Sequence, residues 1–251
     1  MDEPILKVDR ISQRFGGLLA VDTASFDVGV GSITALIGPN GAGKTTLFAI
    51  ISGFQTPVQG HVYFGGQDIT GRAPHELARQ GLARTFQIVQ PFAGLTVREN
   101  IAVGAYLRHR ERAAAFDAAE NIAQRLALGK YIDQPAGTLT VGARKRLELA
   151  RALATTPRLL LLDEVMAGLN PSEVRDLIPA IQEVRTQGTT ILLIEHVMQA
   201  VMNLSDRVHV LAEGRIIASG TPESVVGNEQ VIEAYLGEGA ASHYGSGGRS
   251  R

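Results

Sequence analysis

The stretch from Gly38 to Thr45, GPNGAGKT, constrains this chain more than any other. It matches G-x-x-x-x-G-K-[ST] and lies between a strand-like apolar run, ITALI, and a helix-like run, TTLFAIIS. Glycines at 38, 41 and 43 let the backbone curl so that successive N–H groups point inward, and the following helix brings its positive end to the same place. Such a loop cradles phosphate. Lys44 adds a mobile charge for the β and γ phosphates of a nucleotide, and Thr45 offers a hydroxyl to Mg²⁺. With 28 glycines in the chain a chance match is conceivable. From average residue usage it would occur in about one chain in a hundred, and the strand-loop-helix placement makes it rarer still.

Around this loop the pattern is mixed. Residues 5–37 read as strands with glycine turns, and HVYFGGQDIT as another strand and turn. From about residue 88 to 156 the pattern turns helical, as in AAAFDAAENIAQRLAL and RKRLELARAL, which predicts an inserted helical lobe. LLLLDE, a helical segment around Val174 to Arg185 and TTILLIEH then alternate as strand, helix and strand, the order of parallel α/β topology. DRVHVLAEGRIIASG reads as two short strands about Glu213 and Gly214, and Pro222 begins a last helical segment ending near Leu236. The expected fold is α/β, a P-loop sheet core with an N-terminal antiparallel part. One domain spans 1–236, with its core at 1–87 and 157–236 and the lobe at about 88–156. The glycine- and serine-rich residues 237–251 are expected to be a flexible tail.

Composition narrows the function classes. Lys and Arg number 24 against 25 Asp and Glu, so bulk electrostatics give no drive toward nucleic acid, and any bound anion must be held locally. The absence of cysteine removes disulfides, thiolate metal sites and a catalytic thiol, and fits a reducing compartment such as the cytoplasm. No apolar run approaches the roughly 18 residues of a spanning helix, and MDEPILKVDR lacks the regions of a signal peptide. Work at a membrane would therefore go through a partner.

Asp163 and Glu164 end the apolar run RLLLLDE, at the carboxyl end of a strand where open α/β sheets bind ligands. Neighbours on a strand point to opposite sides, which predicts separate tasks for the two. Asp163 is assigned to Mg²⁺, usually through water, and Glu164 to polarising an attacking water, since phosphoryl transfer needs an oriented nucleophile more than covalent chemistry. Capping of the next helix is the competing role. His196 ends TTILLIEH in the same way and is read as a γ-phosphate contact; a structural histidine is the alternative.

With the phosphate loop, LLLLDE and IEH in this order, the chain resembles the ATP-binding subunits of ABC transporters over nearly all of residues 5–236. The resemblance implies a P-loop NTPase of the ABC ATPase type that hydrolyses ATP with Mg²⁺. It gives Gln87, in LARTFQ, a part in sensing Mg²⁺ and water at the junction of core and lobe. It gives Phe15, in QRFGG, the aromatic that stacks on adenine, for which a core phenylalanine is the alternative. Gly38, Pro39, Asn40, Gly41, Ala42, Gly43, Lys44, Thr45 and Thr46 hold the nucleotide. Leu139 to Ala143, LTVGA, takes the place of the signature Leu-Ser-Gly-Gly-Gln, so Thr140, Val141 and Gly142 would serve the ATP held by the other subunit of a head-to-tail dimer. That second subunit would be another copy or a related ATPase subunit.

RFGGLLAV, LTVREN, AGLNP, IEHVM and EAYLGE resemble the importer ATPases of the branched-chain amino-acid type. This implies integral membrane permease subunits, through them a solute-binding protein, a place at the cytoplasmic face of the inner or plasma membrane, and no nucleic-acid partner. An ABC ATPase outside transport, or an ATP-dependent dimerising switch with little turnover, are the alternatives. Five positions depart from the common pattern, and at one of them Thr140 keeps the hydroxyl of the usual Ser. Val141 is β-branched where glycine is free to take positive φ, Ala143 lacks the usual amide, Asn170 lacks the charge of Asp, and Val165 replaces proline. They point to slower or differently regulated hydrolysis, with Gly142 the closest backbone approach to nucleotide.

Overall fold

The computed structural model describes residues 3–86 and 90–236. In chain order the strands are β1 (Leu6–Phe15), β2 (Leu18–Val28), β3 (Ile33–Ile37), β4 (Gln59–Phe64), β5 (Gln67–Asp68), β6 (Leu82–Arg84), β7 (Leu159–Asp163), β8 (Thr190–Ile194), β9 (Arg207–Ala212) and β10 (Arg215–Gly220). The α-helices are α1 (Lys44–Ile51), α2 (Pro74–Gln80), α3 (Val97–Ala105), α4 (Arg112–Arg125), α5 (Val141–Leu153), α6 (Pro171–Thr186), α7 (Met198–Leu204), α8 (Pro222–Val226) and α9 (Glu229–Leu236). Two units are distinct: residues up to Gly71 with those from Val201 onward, and Arg72–Ala200.

In the first unit β1 pairs antiparallel with β2 and β4, and β4 with β5. Along β2 the alternation of Ala24, Phe26 and Val28 inward with Ser25 and Asp27 outward is that of a strand with one face covered. β3 pairs in parallel with β9, and β9 turns back antiparallel into β10. All five residues of β3 are buried, including Thr34, as a strand covered on both faces requires. Pro222 to Leu236 contains two helices where one segment is expected; Gly227 and Asn228 separate them.

In the second unit β6, β7 and β8 form a parallel set. LLLLD and TILLI are buried along their whole length, so their apolar runs are core strands. Helix α5 packs against α3 and α4. Its buried Ala143, Leu147 and Ala150 recur at helical spacing on one face. Asn170 starts α6 by a capping box: its Oδ1 accepts the Ser172 and Glu173 N–H groups at 2.9 and 3.0 Å, and Glu173 Oε2 accepts the Asn170 N–H at 3.0 Å. α2 and β6 are additions to the expected element order. No helix among the described residues is long and apolar enough to cross a membrane.

Candidate functional site

The phosphate loop belongs to the first unit. β3 runs directly into Gly38, where a Cβ would stand 1.9 Å from the Leu211 carbonyl oxygen. At Gly43, with φ +105°, a Cβ would stand 2.4 Å from the carbonyl oxygen of Ala20. Backbone crowding admits only glycine at both. Gly43 is also the N-cap of α1 and has no side chain to claim the first-turn N–H groups. A helix start without a capping side chain, with its positive end, suits an anion. Lys44 is buried, and its Nζ donates to the carbonyls of Gly38 at 2.8 Å and Pro39 at 2.9 Å.

Asn40 and Gly41 are exposed at the tip of the loop and Ala42 is buried beneath it. Thr45 is exposed and Thr46 half-buried on the first turn of α1. Phe15, at the end of β1, is 50% exposed, a surface ring and not the core phenylalanine of the alternative. One contact was not legible in the sequence: the backbone of Gly38 hydrogen-bonds the hydroxyl of Tyr235 on α9, and burial pushes that phenol above its ordinary value.

The second unit holds Asp163, Glu164 and His196. Asp163, the last residue of β7, is 2% exposed, and its Oδ2 accepts from Arg84 on β6 at 2.8 Å. Glu164 has already left the strand, with φ +49°. The expectation that strand alternation separates the two carboxylates is therefore corrected: a left-handed residue turns Glu164 away. Such a conformation costs roughly 1–2 kcal/mol for a side chain other than glycine and persists where neighbours over-determine it. Here the Glu164 N–H donates to Ile194 at 3.0 Å, and its carbonyl accepts from Ala167 at 3.1 Å and from Lys145 Nζ on α5 at 3.2 Å. The carboxylate Oε1 meets His196 Nε2 at 2.6 Å. Arg84 and Lys145, both side chains that hold the carboxylate segment, carry no motif that would mark them in the sequence.

Thr140 is the N-cap of α5, its hydroxyl accepting the Ala143 N–H at 3.3 Å. Val141 opens the helix with an ordinary backbone and is 57% exposed. The strain expected of a β-branched residue here does not arise, because the position is helical. Gly142 is buried, and a Cβ on it would come 2.5 Å from Glu173 Oε1 on α6; Thr140 and Val141 are what this helix start exposes. Asn170 spends its side chain on the cap of α6 described above. Glu148 on α5 accepts the N–H of Phe86, and burial raises its carboxyl above the usual range. Gln87, the next residue, lies outside the described residues.

A glycine loop closed by a buried lysine, between a buried parallel strand and an uncapped helix, defines a P-loop nucleotide-binding protein. Comparison with known proteins narrows this further. Residues 21–167 match the family described as ABC transporter, and residues 215–241 the one described as Branched-chain amino acid ATP-binding cassette transporter. Over 95% of its length the chain is 41% identical to the High-affinity branched-chain amino acid transport ATP-binding protein LivG of Escherichia coli (strain K12), which it covers completely, at 100%. It is 37% identical to the Probable branched-chain amino acid transport ATP-binding protein LivG of Archaeoglobus fulgidus, over 93% of this chain and 95% of that one. The crystal structure of a nucleotide-free ATP-binding cassette from an ABC transporter has a TM-score of 0.86 at 35% identity, covering 94% of this chain and 100% of that chain. The ADP conformation of an ATP-binding cassette has a TM-score of 0.84 with the same identity and coverage. The chain belongs to the ABC transporter family, as one of its ATP-binding cassettes.

Proposed function

We propose that this chain is the ATP-binding and ATP-hydrolysing subunit of an importer for branched-chain or related amino acids. The observation that carries the catalytic part is the 2.6 Å contact of His196 Nε2 with Glu164 Oε1 on an over-determined backbone. The identity with branched-chain amino-acid transport ATP-binding proteins over 95% of the chain supports the solute class.

In this reading the loop from Gly38 to Thr46, with inward-pointing N–H groups of its backbone, and the Lys44 ammonium bind the phosphates of ATP, with Phe15 against the base. Glu164 accepts a hydrogen bond from the attacking water and orients it, and His196 fixes the carboxylate and meets the γ phosphate. Thr45, Gln87 and Asp163 would hold Mg²⁺, which neutralises charge on the phosphates when bound. Thr140, Val141 and Gly142 serve the nucleotide of a second subunit, so the working unit is a head-to-tail dimer. Permease subunits supply the path through the membrane, a solute-binding protein supplies the solute, and the chain sits peripherally at the cytoplasmic face. Residues 1–236 act as one ATPase domain.

Replacing Lys44 by Ala tests the phosphate-loop assignment by equilibrium binding of ATP. Loss of one buried, charge-assisted contact is expected to weaken affinity by about tenfold or more. Unchanged affinity would sink it.

A further inference from the structure

Between β8 and His196 lies Glu195, 2% exposed and without a part in the chemistry above. Its Oε1 accepts the N–H of Met166 at 3.0 Å, and the carboxylate also accepts the backbone N–H of His196. Met166 is two residues beyond Glu164, and His196 is the residue in contact with the Glu164 carboxylate. One buried carboxylate thus holds the main chain on both sides of the reacting pair. We infer that Glu195 is a positioning residue for ATP hydrolysis: by gripping the Met166 and His196 amides it fixes the separation and aim of the Glu164 carboxylate and the His196 ring. The inference rests on the proposed role of Glu164.

A buried carboxylate is costly unless it is needed as an acceptor. Here two amides need it. Met166 is 1% exposed, so water is a poor substitute acceptor for its N–H. The Glu164 backbone is held in the left-handed region by contacts to Ile194, Ala167 and Lys145; Glu195 closes the next link of the chain. Without it the turn from Glu164 to Met166 can relax, and a shift of a fraction of an ångström at a general base is enough to slow catalysis. Burial pushes its carboxyl up to about 7 and the like charge of Glu164 adds to this, while the two amides and Lys145 on α5 oppose it. A protonated oxygen is a weaker acceptor than a carboxylate oxygen, so protonation loosens the hold on one of the two amides.

The test has two arms on the full chain. In steady-state hydrolysis, Glu195→Ala is expected to lower kcat by about tenfold or more, with KM and the Kd for ATP within about twofold of the parent. Glu195→Gln keeps the shape and one acceptor, and is expected to recover part of that loss. In amide NMR, the N–H signals of Met166 and His196 are expected to titrate together with a midpoint near the value of about 7 for Glu195, and to lose that midpoint in Glu195→Gln. Parent-like kcat in Glu195→Ala, or a fall matched by an equal loss of ATP affinity in both variants, would overturn the inference. So would amides that titrate independently or not at all. If the parent itself releases no phosphate, the hydrolysis reading fails separately, and the shared titration still decides whether Glu195 holds the two amides.

Discussion

At Glu164 the turn that follows from the sequence differs from the one the chain takes. The sequence places it at the end of a buried strand beside Asp163, and alternation then separates the two carboxylates; in the structure the separation comes from a left-handed residue held by Ile194, Ala167 and Lys145. Such a kink leaves no trace in residue type, because it is imposed by tertiary neighbours. The phosphate loop is the opposite case: its glycines announce their conformation. Gly43→Ala would drive a Cβ to 2.4 Å from the Ala20 carbonyl oxygen. It is expected to cost about 2–3 kcal/mol and to abolish nucleotide binding, as read by thermal unfolding and ATP titration. Tyr235, by contrast, was invisible as a site residue, since nothing but the fold brings it to Gly38. Tyr235→Phe removes one hydrogen bond to the loop and is expected to weaken ATP affinity by about two- to fivefold without altering kcat.

At the scale of elements, the long periodic segments were readable and the short ones were not. Fully apolar runs marked β3, β7 and β8, and helical periodicity marked α5 and α6. α2 and β6, of seven and three residues, are too short for a period to register. The departures from the family pattern at Val141 and Asn170 also resolve at this scale, since both sit at helix starts that are capped and unstrained. Asn170→Ala removes the acceptor for two first-turn N–H groups and is expected to cost about 1 kcal/mol by urea unfolding, whereas Asn170→Asp should cost little. In β9, burial holds His209 near 4, well below its ordinary 6.5, and Ser219 and the Asp27 carbonyl satisfy its ring. The neutral ring is the form that the fold stabilises. As pH falls below 6.5 the unfolded chain takes up this proton first, so the contribution is intact above 6.5 and is lost on the way to pH 4. The full loss is of order 3 kcal/mol, and His209→Gln is expected to flatten that part of the stability curve against pH.

For the whole molecule, membership of the ABC transporter family was legible from three motifs in order, because each motif is bound to a strand end that the sheet must supply. The solute class was legible only as a likeness in phrasing. Partner subunits are likewise absent from the physics of a single chain, except that the capped, exposed start of α5 at Thr140 and Val141 suits a contact with a second subunit. The head-to-tail pairing predicts that ATP, in a variant unable to cleave it, converts the chain from monomer to dimer, measurable by sedimentation. The central claim is that Lys44 and its loop bind ATP while Glu164, aimed by His196, makes it react. Measuring ATP affinity and phosphate release side by side in the parent and in Glu164→Gln tests this most directly. The account predicts affinity within about threefold of the parent and a turnover lower by a factor of about a hundred or more, the range expected for loss of a general base. Phosphate release at the parent rate from Glu164→Gln would contradict it.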